Sequence, residues 1–353
     1  MRHERTVDVL IVGAGPAGLA AAAGLAAAGV GHVEVLEREE QAGGVPRHCH
    51  HGGFGARTFA GLTGLTGLTG LTGLTGLVGL AGLTGPGTSG PRYARAHVDA
   101  ARRAGARVRT GVTATDWAGP RTLDTTSPDG LERLTARAVV LATGARERPR
   151  AARLVPGGRA PGVYTTGELQ QAVHLYGHHI GTRAVVVGAE PVAYAALDTL
   201  RRAGVAVAAQ VTAEARHRVT PWRAAGARLW HGVPLLTGAE VTELVGRGRI
   251  SAVRLRHRGG LLAQLPCDTV VFTGDFVPDH ELARRGGVAL DAGTRGPAID
   301  ADFRTEIPGV FAVGNVAHAV EPAAAVTAEG WRAAASVRRY LLSGHWPSVV
   351  RGV

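Results

Sequence analysis

The sequence predicts an α/β fold with two Rossmann-like dinucleotide-binding units, and three features predict it. Residues 7–39 run from an apolar stretch through a Gly13, Gly15, Gly18 turn and an Ala/Leu-rich helix to a second apolar stretch. A second short apolar strand, Ala184–Val187, meets another glycine turn at Gly188. Two further apolar runs, 138–141 and 310–313, each close in a glycine turn, at Gly144 and Gly314. Continuous apolar runs suit parallel strands buried on both faces, and glycine turns at their carboxyl ends are where α/β ligands bind.

The first unit is the most explicit. Val7–Val12 reads as a buried strand, and the helix begins at Pro16 and Ala17. Gly13 permits the tight turn, Gly15 lets backbone approach a pyrophosphate, and Gly18 lets helix pack on strand. Glu37 ends the second strand, Val33–Leu36, where a carboxylate accepts the hydroxyls of an adenosine ribose; Arg38 follows it.

Gly43 and Gly44 then form a flexible turn able to lie against a long cofactor. Arg47, His48, Cys49, His50 and His51 crowd behind them. Adjacent residues point apart, which weighs against a metal site. Cys49 has no resolving partner nearby, which weighs against a redox cysteine. A solvated polar loop and a cofactor- or substrate-facing loop both remain. In the second reading Arg47 supplies fixed charge, and His48 or His51 a proton donor or acceptor near neutral pH.

Residues 61–84 are eight tandem triplets, six Gly-Leu-Thr with one Gly-Leu-Val and one Gly-Leu-Ala. Glycine at every third position disfavours a helix, and leucine at that spacing forms no fixed helical face. The tract reads as a low-complexity insertion in a surface connection. Beyond it a helix is expected over 92–104, then strands near 106–112, 121–125 and 131–135. The buried strand that follows ends in Ala142, Thr143 and Gly144.

In the second unit the turn reads Gly188-Ala-Glu190-Pro-Val-Ala193, so Glu190 stands where a second glycine would receive pyrophosphate. A carboxylate there repels phosphate, and after Val205–Val211 no acid is poised for a ribose. Weakened NAD(P)H binding is expected. Strands are expected near 228–231, 239–245, 250–256 and 268–273, with Gly274-Asp275 as the crossover back. The last segment offers a buried strand, Val310–Val313, the turn Gly314-Asn315, and a helix starting near Pro322 and Ala323.

Composition excludes several classes. The net charge is +11, and every one of the 39 basic residues is arginine. No block of like charge occurs, so the excess reads as compositional bias rather than a nucleic-acid surface. Two cysteines without a C-x-x-C fit a reducing cytoplasm. The first residues lack a signal-peptide pattern, and the Ala-rich helix is too short to span a membrane.

GAGPAG at 13–18, Glu37, GG at 43–44, ATG at 142–144 and GVFAVGN at 309–315 come in an order that resembles the two-dinucleotide-binding-domain flavoprotein reductases. The resemblance covers nearly the whole chain outside 61–84. It implies FAD held by the first and last segments, with the second Rossmann unit inserted between them. The implied domains are 1–148 and 284–353 for FAD, and 149–283 for the second, nucleotide-binding type. GGVPRHCHHGGFG (43–55), TTGELQQAVHLYG (165–177), FTGDFVPDHEL (272–282) and GNVAHAVEP (314–322) more finely resemble the alpha subunits of opine and proline/hydroxyproline dehydrogenases.

That resemblance implies a small amine, imino acid or opine substrate and a hetero-oligomer with a beta (flavin) subunit. The last 30 or so residues hold no cysteine, so any Fe–S centre is expected on another subunit. In these relatives Asn315 is usually Asp and bonds the flavin's ribityl chain. The helix after Pro322 would aim its dipole at the flavin ring. Another adenine nucleotide in the second unit is also implied. Two alternatives stand beside the dehydrogenase: an NAD(P)H-dependent flavoprotein reductase, and a non-catalytic electron-relay or assembly subunit.

Overall fold

A computed structural model of the chain describes residues 3–54, 88–214, 232–319 and 321–347. The Gly-Leu-Thr tract and the strand expected at 228–231 lie outside the described residues. The chain forms two compact units. The first comprises Met1–Arg47, Gly52–Arg146 and Val277–Val353; the second comprises His48–His51 and Glu147–Phe276.

The first unit is built on one sheet. Its strands are β1 (His3–Val12), β2 (Val33–Leu36), β3 (Arg107–Arg109), β4 (Thr113–Gly119), β5 (Thr122–Ser127) and β6 (Gly130–Leu141). They lie in the order β3-β2-β1-β6-β5-β4. β1, β2, β3 and β6 run parallel, whereas β4, β5 and the first half of β6 form an antiparallel meander. The two strands expected over 131–144 are a single strand. One edge of β6 is shared: residues 130–135 pair with β5, and Val139–Leu141 pair with the returning strand Val310–Ala312. Neither partner is encoded locally, so the run looks divided in sequence. The sequence does not predict β4, because its Thr, Asp and Gly content reads as turn.

Helix α1, Pro16–Ala27, is buried from Ala17 through Leu25. Being small all round, it fits between the sheet and the long helix Ala323–Ser343. A side chain at Gly330 would lie 2.2 Å from the Ala17 carbonyl, so the two helices meet backbone to backbone.

The second unit repeats the plan at smaller scale. Five parallel strands include Arg183–Val187 at the centre, flanked by Ala206–Thr212 and Thr269–Phe272. Helix Pro191–Arg202 covers this sheet through Ala193, Ala196, Leu197 and Leu200. A three-stranded antiparallel sheet follows, Ala239–Gly246, Ile250–His257 and Leu262–Pro266. Helix Thr166–His174 starts on a reciprocal cap in which Thr165 and Glu168 each bond the other's backbone N–H.

Candidate functional site

The carboxyl ends of β1, β2, β6 and the strand Val310–Ala312 meet at one edge of the first unit's sheet. Beyond them lies a cavity of about 690 Å³. That volume falls within the range of small-molecule and cofactor pockets. The cavity lies wholly in the first unit, and both polar and apolar groups line it.

Gly13, Gly15, Pro16 and Ala17 form one wall, where α1 begins. Gly13 and Gly18 are glycine for reasons internal to the protein. A Cβ on Gly13 would lie 2.3 Å from the Ala142 carbonyl, and one on Gly18 would lie 2.0 Å from the Gly13 carbonyl. Gly15 differs, since a Cβ there would meet nothing within 4 Å. Its φ of −80° and ψ of −179° suit any residue. The fold therefore does not require glycine at 15, whereas a ligand backbone or phosphate drawn close to the turn does. No side chain caps the start of α1, which leaves its N-terminal dipole facing the cavity.

Glu37 sits beside this turn, 8% exposed. Its Oε2 accepts from Ala14 N at 3.1 Å and its Oε1 from Glu39 N at 3.1 Å. Burial pushes its carboxyl above the ordinary range despite these donors. Glu37 lines the cavity, and each of its oxygens can accept a further hydrogen bond, as a diol acceptor needs. Arg38 also lines the cavity and pairs with Asp279 at 3.2 Å. Val112, Thr113, Ala114 and Thr115 close this end. No motif in the sequence marks them. Their signal was position, just past the carboxyl end of parallel strand β3.

Gly44 packs on the first turn, where a Cβ would lie 2.8 Å from Gly15 Cα, and Gly43 N donates to Ala14 O at 2.8 Å. The glycine pair thus clasps the phosphate-type turn, and Gly44 alone of the two lines the cavity. Val45–His48 is a 3-10 turn, in which successive side chains point about a third of a turn apart. Val45 and Pro46 consequently face the cavity and Arg47 does not. The Arg47 guanidinium is ion-paired with Glu39. His48 is 3% exposed and belongs, with Cys49 and His51, to the second unit. The structure does not gather Arg47, His48 and His51 on the cavity.

Cys49 is buried, and its thiol donates to Gln170 Oε1 at 3.3 Å. Burial, with the Glu147 carboxylate, pushes the thiol up to about 12; burial, with Asp268, pushes Cys267 to about 11. Neither supplies thiolate near neutral pH. Among the described residues no group of three His, Cys, Asp or Glu side chains forms a metal site.

Ala142, Thr143 and Gly144 form the cavity floor. Thr143 Oγ1 donates to Asp279 O at 2.7 Å, and Asp279 N donates to Gly144 O at 2.9 Å, so the returning chain locks this turn. Asp279, Glu281, Leu282 and Arg285 line the same side, a contribution not foreseen.

At the far end stand Asn315, Glu321 and Ala323, with Gly314 and Pro322 just behind. Gly314 N donates to Glu329 Oε2 at 3.1 Å, and His318 Nε2 lies 3.1 Å from Glu329 Oε1. Pro322 is the N-cap of helix Ala323–Ser343, which no side chain caps. Tyr93, in the helix Gly90–Arg103, anchors this first turn: its hydroxyl lies 2.8 Å from Thr327 Oγ1 and donates to Ala323 O at 3.3 Å.

Asn315 makes a two-bond clamp. Its Nδ2 donates to Glu321 O at 3.2 Å and its Oδ1 accepts from Glu321 N at 2.9 Å. A carboxylate cannot donate to that carbonyl. Asn315→Asp is therefore expected to weaken this end by on the order of 1–3 kcal/mol. Chemical denaturation and FAD titration of the variant would check it; unchanged values in both would refute the clamp's importance.

The residues present fit an FAD molecule. The cavity joins an uncapped helix start and an open Gly15 to a buried diol-type acceptor at one end, and leads to a second uncapped helix start at the other. In the second unit the corresponding turn is filled by its own Glu190, whose Oε2 accepts from Ala189 N at 2.9 Å.

Residues 7–331 match the family described as pyridine nucleotide-disulphide oxidoreductase. The chain is 26% identical over 329 residues to an opine oxidase subunit of Agrobacterium tumefaciens (strain Ach5), covering 87% of this chain and 61% of that protein. It is 30% identical over 234 residues to the ferredoxin–NAD(+) reductase component of the biphenyl dioxygenase system of Paraburkholderia xenovorans (strain LB400), covering 64% and 52%. The chain thus spans roughly half to three-fifths of the length of these two relatives. The thioredoxin reductase of T. acidophilum has the same fold, with a TM-score of 0.75 and 22% identity over 96% of this chain and 100% of that one.

Proposed function

Because the chain belongs to the pyridine nucleotide-disulphide oxidoreductase family, whose members bind FAD and NAD(P), we propose that it is an FAD-dependent dehydrogenase of a small amine, imino acid or opine, acting within a hetero-oligomer. The observation that carries this reading is the cavity running from Glu37 past the open Gly15 to the helix start at Ala323. Similarity to the opine oxidase relative over 87% of the chain supports the substrate class. A dithiol mechanism is disfavoured, since the chain's only two cysteines are buried and unpaired with each other.

FAD bound here would accept the two electrons released as a C–N bond is oxidised. The chain's residues supply placement. Glu37 would accept the ribose hydroxyls, and the α1 start would face the pyrophosphate. Val45 and Pro46 would exclude water from one side of the ring system, and Thr143-Gly144 would support the other. The helix start at Ala323, held by Tyr93, would favour negative charge developing on the ring. Arg47, tied to Glu39, would stiffen the turn that carries Val45 and Pro46. His48 and His51, which the sequence offered for moving the substrate proton, belong to the second unit and are given no role at this cavity.

Visible absorption of the purified chain tests the cofactor, and anaerobic addition of substrates tests the reaction. Oxidised-flavin bands at near one equivalent that bleach with an amino acid or secondary amine, but not with NADH, are expected. Rapid bleaching by NADH would instead favour a reductase like the ferredoxin–NAD(+) reductase relative. A chain that takes up no FAD, alone or co-expressed with partner subunits, would overturn the proposal.

A further inference from the structure

We propose that the Glu190 carboxylate is a built-in substitute for a nucleotide phosphate, which excludes pyrophosphate-bearing cofactors from the second unit. The inference concerns the second Rossmann unit alone and is independent of the substrate oxidised.

Helix Pro191–Arg202 starts at the carboxyl end of the strand Arg183–Val187, the arrangement that holds phosphate in such units. Glu190 is its N-cap residue, with φ −82° and ψ 171°. Its side chain does not extend into solvent. It folds back over the turn, where Oε2 accepts from Ala189 N at 2.9 Å and Oε1 contacts the Thr273 hydroxyl. A Cβ placed on Gly188 would lie 2.8 Å from Oε2, and one on Gly274 would lie 2.7 Å from Oε1. The carboxylate therefore lies directly over both glycines, at the ends of two neighbouring parallel strands.

Two consequences follow. First, the donors that a phosphate oxygen would use at this turn, a backbone N–H and a hydroxyl, are already spent on an anion of similar geometry. Second, a pyrophosphate approaching the helix start meets a fixed negative charge instead of open glycine. Arg153, whose Nη2 donates to Gly274 O at 2.8 Å, holds the backbone of this turn, and its charge is felt by Asp275 and Glu147 before Glu190. The glycines at 188 and 274 thus persist in a turn that keeps the shape of a phosphate site while its own side chain occupies it.

Glu190 has an ordinary extended backbone, so its replacement imposes no strain. The test uses the full chain, NADH as the probe and equilibrium dialysis as the readout, with flavin content and melting curve recorded for each variant. Wild type is expected to bind NADH weakly. Glu190→Gly, which frees Ala189 N and the Thr273 hydroxyl and removes the fixed negative charge, is expected to bind it ~10–100-fold tighter. Should Glu190→Gly fold poorly, Glu190→Ala removes the same carboxylate and keeps a Cβ at the N-cap. A folded variant with wild-type NADH affinity would overturn the proposal, as would a wild type that already binds NADH as tightly as the variant.

Discussion

Gly15→Val is expected to give a folded, stable protein that no longer takes up FAD. The added atoms enter space that the protein leaves open, because nothing lies within 4 Å of a Cβ at this position. The backbone there is already in a conformation open to any residue. Stability should therefore stay within about 0.5 kcal/mol of wild type, as for substitutions away from packed features. Affinity for FAD should fall by ~100-fold or more, since the side chain stands where the pyrophosphate must approach the helix start. Gly13→Ala makes the contrast. Its φ of +108° is unfavourable for any side chain, and its Cβ would lie 2.3 Å from the Ala142 carbonyl. Strain and overpacking together should cost on the order of 2–6 kcal/mol. Denaturant midpoints and FAD titrations of both variants separate the cases. A Gly15→Val protein that binds FAD normally would show that the cavity does not hold the pyrophosphate at this turn.

Glu34→Ala is expected to destabilise the first unit by roughly 3–5 kcal/mol at neutral pH, the cost of breaking a buried ion-pair network. Glu34 is fully buried on β2. Its two oxygens accept from Arg5 Nη2 at 2.7 Å and Arg109 Nη1 at 2.8 Å. The same two arginines reach Glu132 at 2.8 and 2.6 Å, so two carboxylates and two guanidinium groups alternate across β1, β2, β6 and β3. Burial alone would raise the Glu34 carboxyl, but Arg5 and Arg109 outweigh it and hold the group below its ordinary value. Glu132 is depressed likewise, its burial outweighed by Arg109 and Arg5.

A depressed carboxyl contributes stability that is present above its unfolded pKa, ~4.3, and is lost as pH falls through the lower folded value. Wild type should therefore lose stability steeply below about pH 4.3. The gap between wild type and Glu34→Ala should narrow over the same range. Urea midpoints recorded from pH 7 downward would measure it; parallel profiles for the two proteins would sink the linkage.

Much of the site was legible in the sequence because its elements are local. A strand, a three-glycine turn and a helix of small residues lie within 21 consecutive positions, Val7 to Ala27, and each demand is met by residue type alone. Twelve of the sixteen residues expected around the cofactor line the cavity, and the other four act one layer behind it. Gly18 packs helix on strand, Gly43 and Gly314 give backbone N–H bonds to Ala14 and Glu329, and Pro322 caps a helix.

The features that the order of residues leaves open depend on partners far away in the chain. Whether Arg47 reaches the cavity is decided by a 3-10 turn and by Glu39. Tyr93 matters because its hydroxyl meets Thr327, 234 positions on. The unity of β6 depends on β5 for one half of its edge and on Val310–Ala312 for the other. The Glu34 network joins four strands, and Glu190 reads in sequence only as a misplaced acid until Thr273 and Ala189 are seen to hold it. The periodicities, the turns and the first nucleotide-type motif follow from the order of residues alone, because they are properties of neighbours. The direction of each polar side chain follows only from the folded chain, because a buried charge goes where a distant partner can satisfy it.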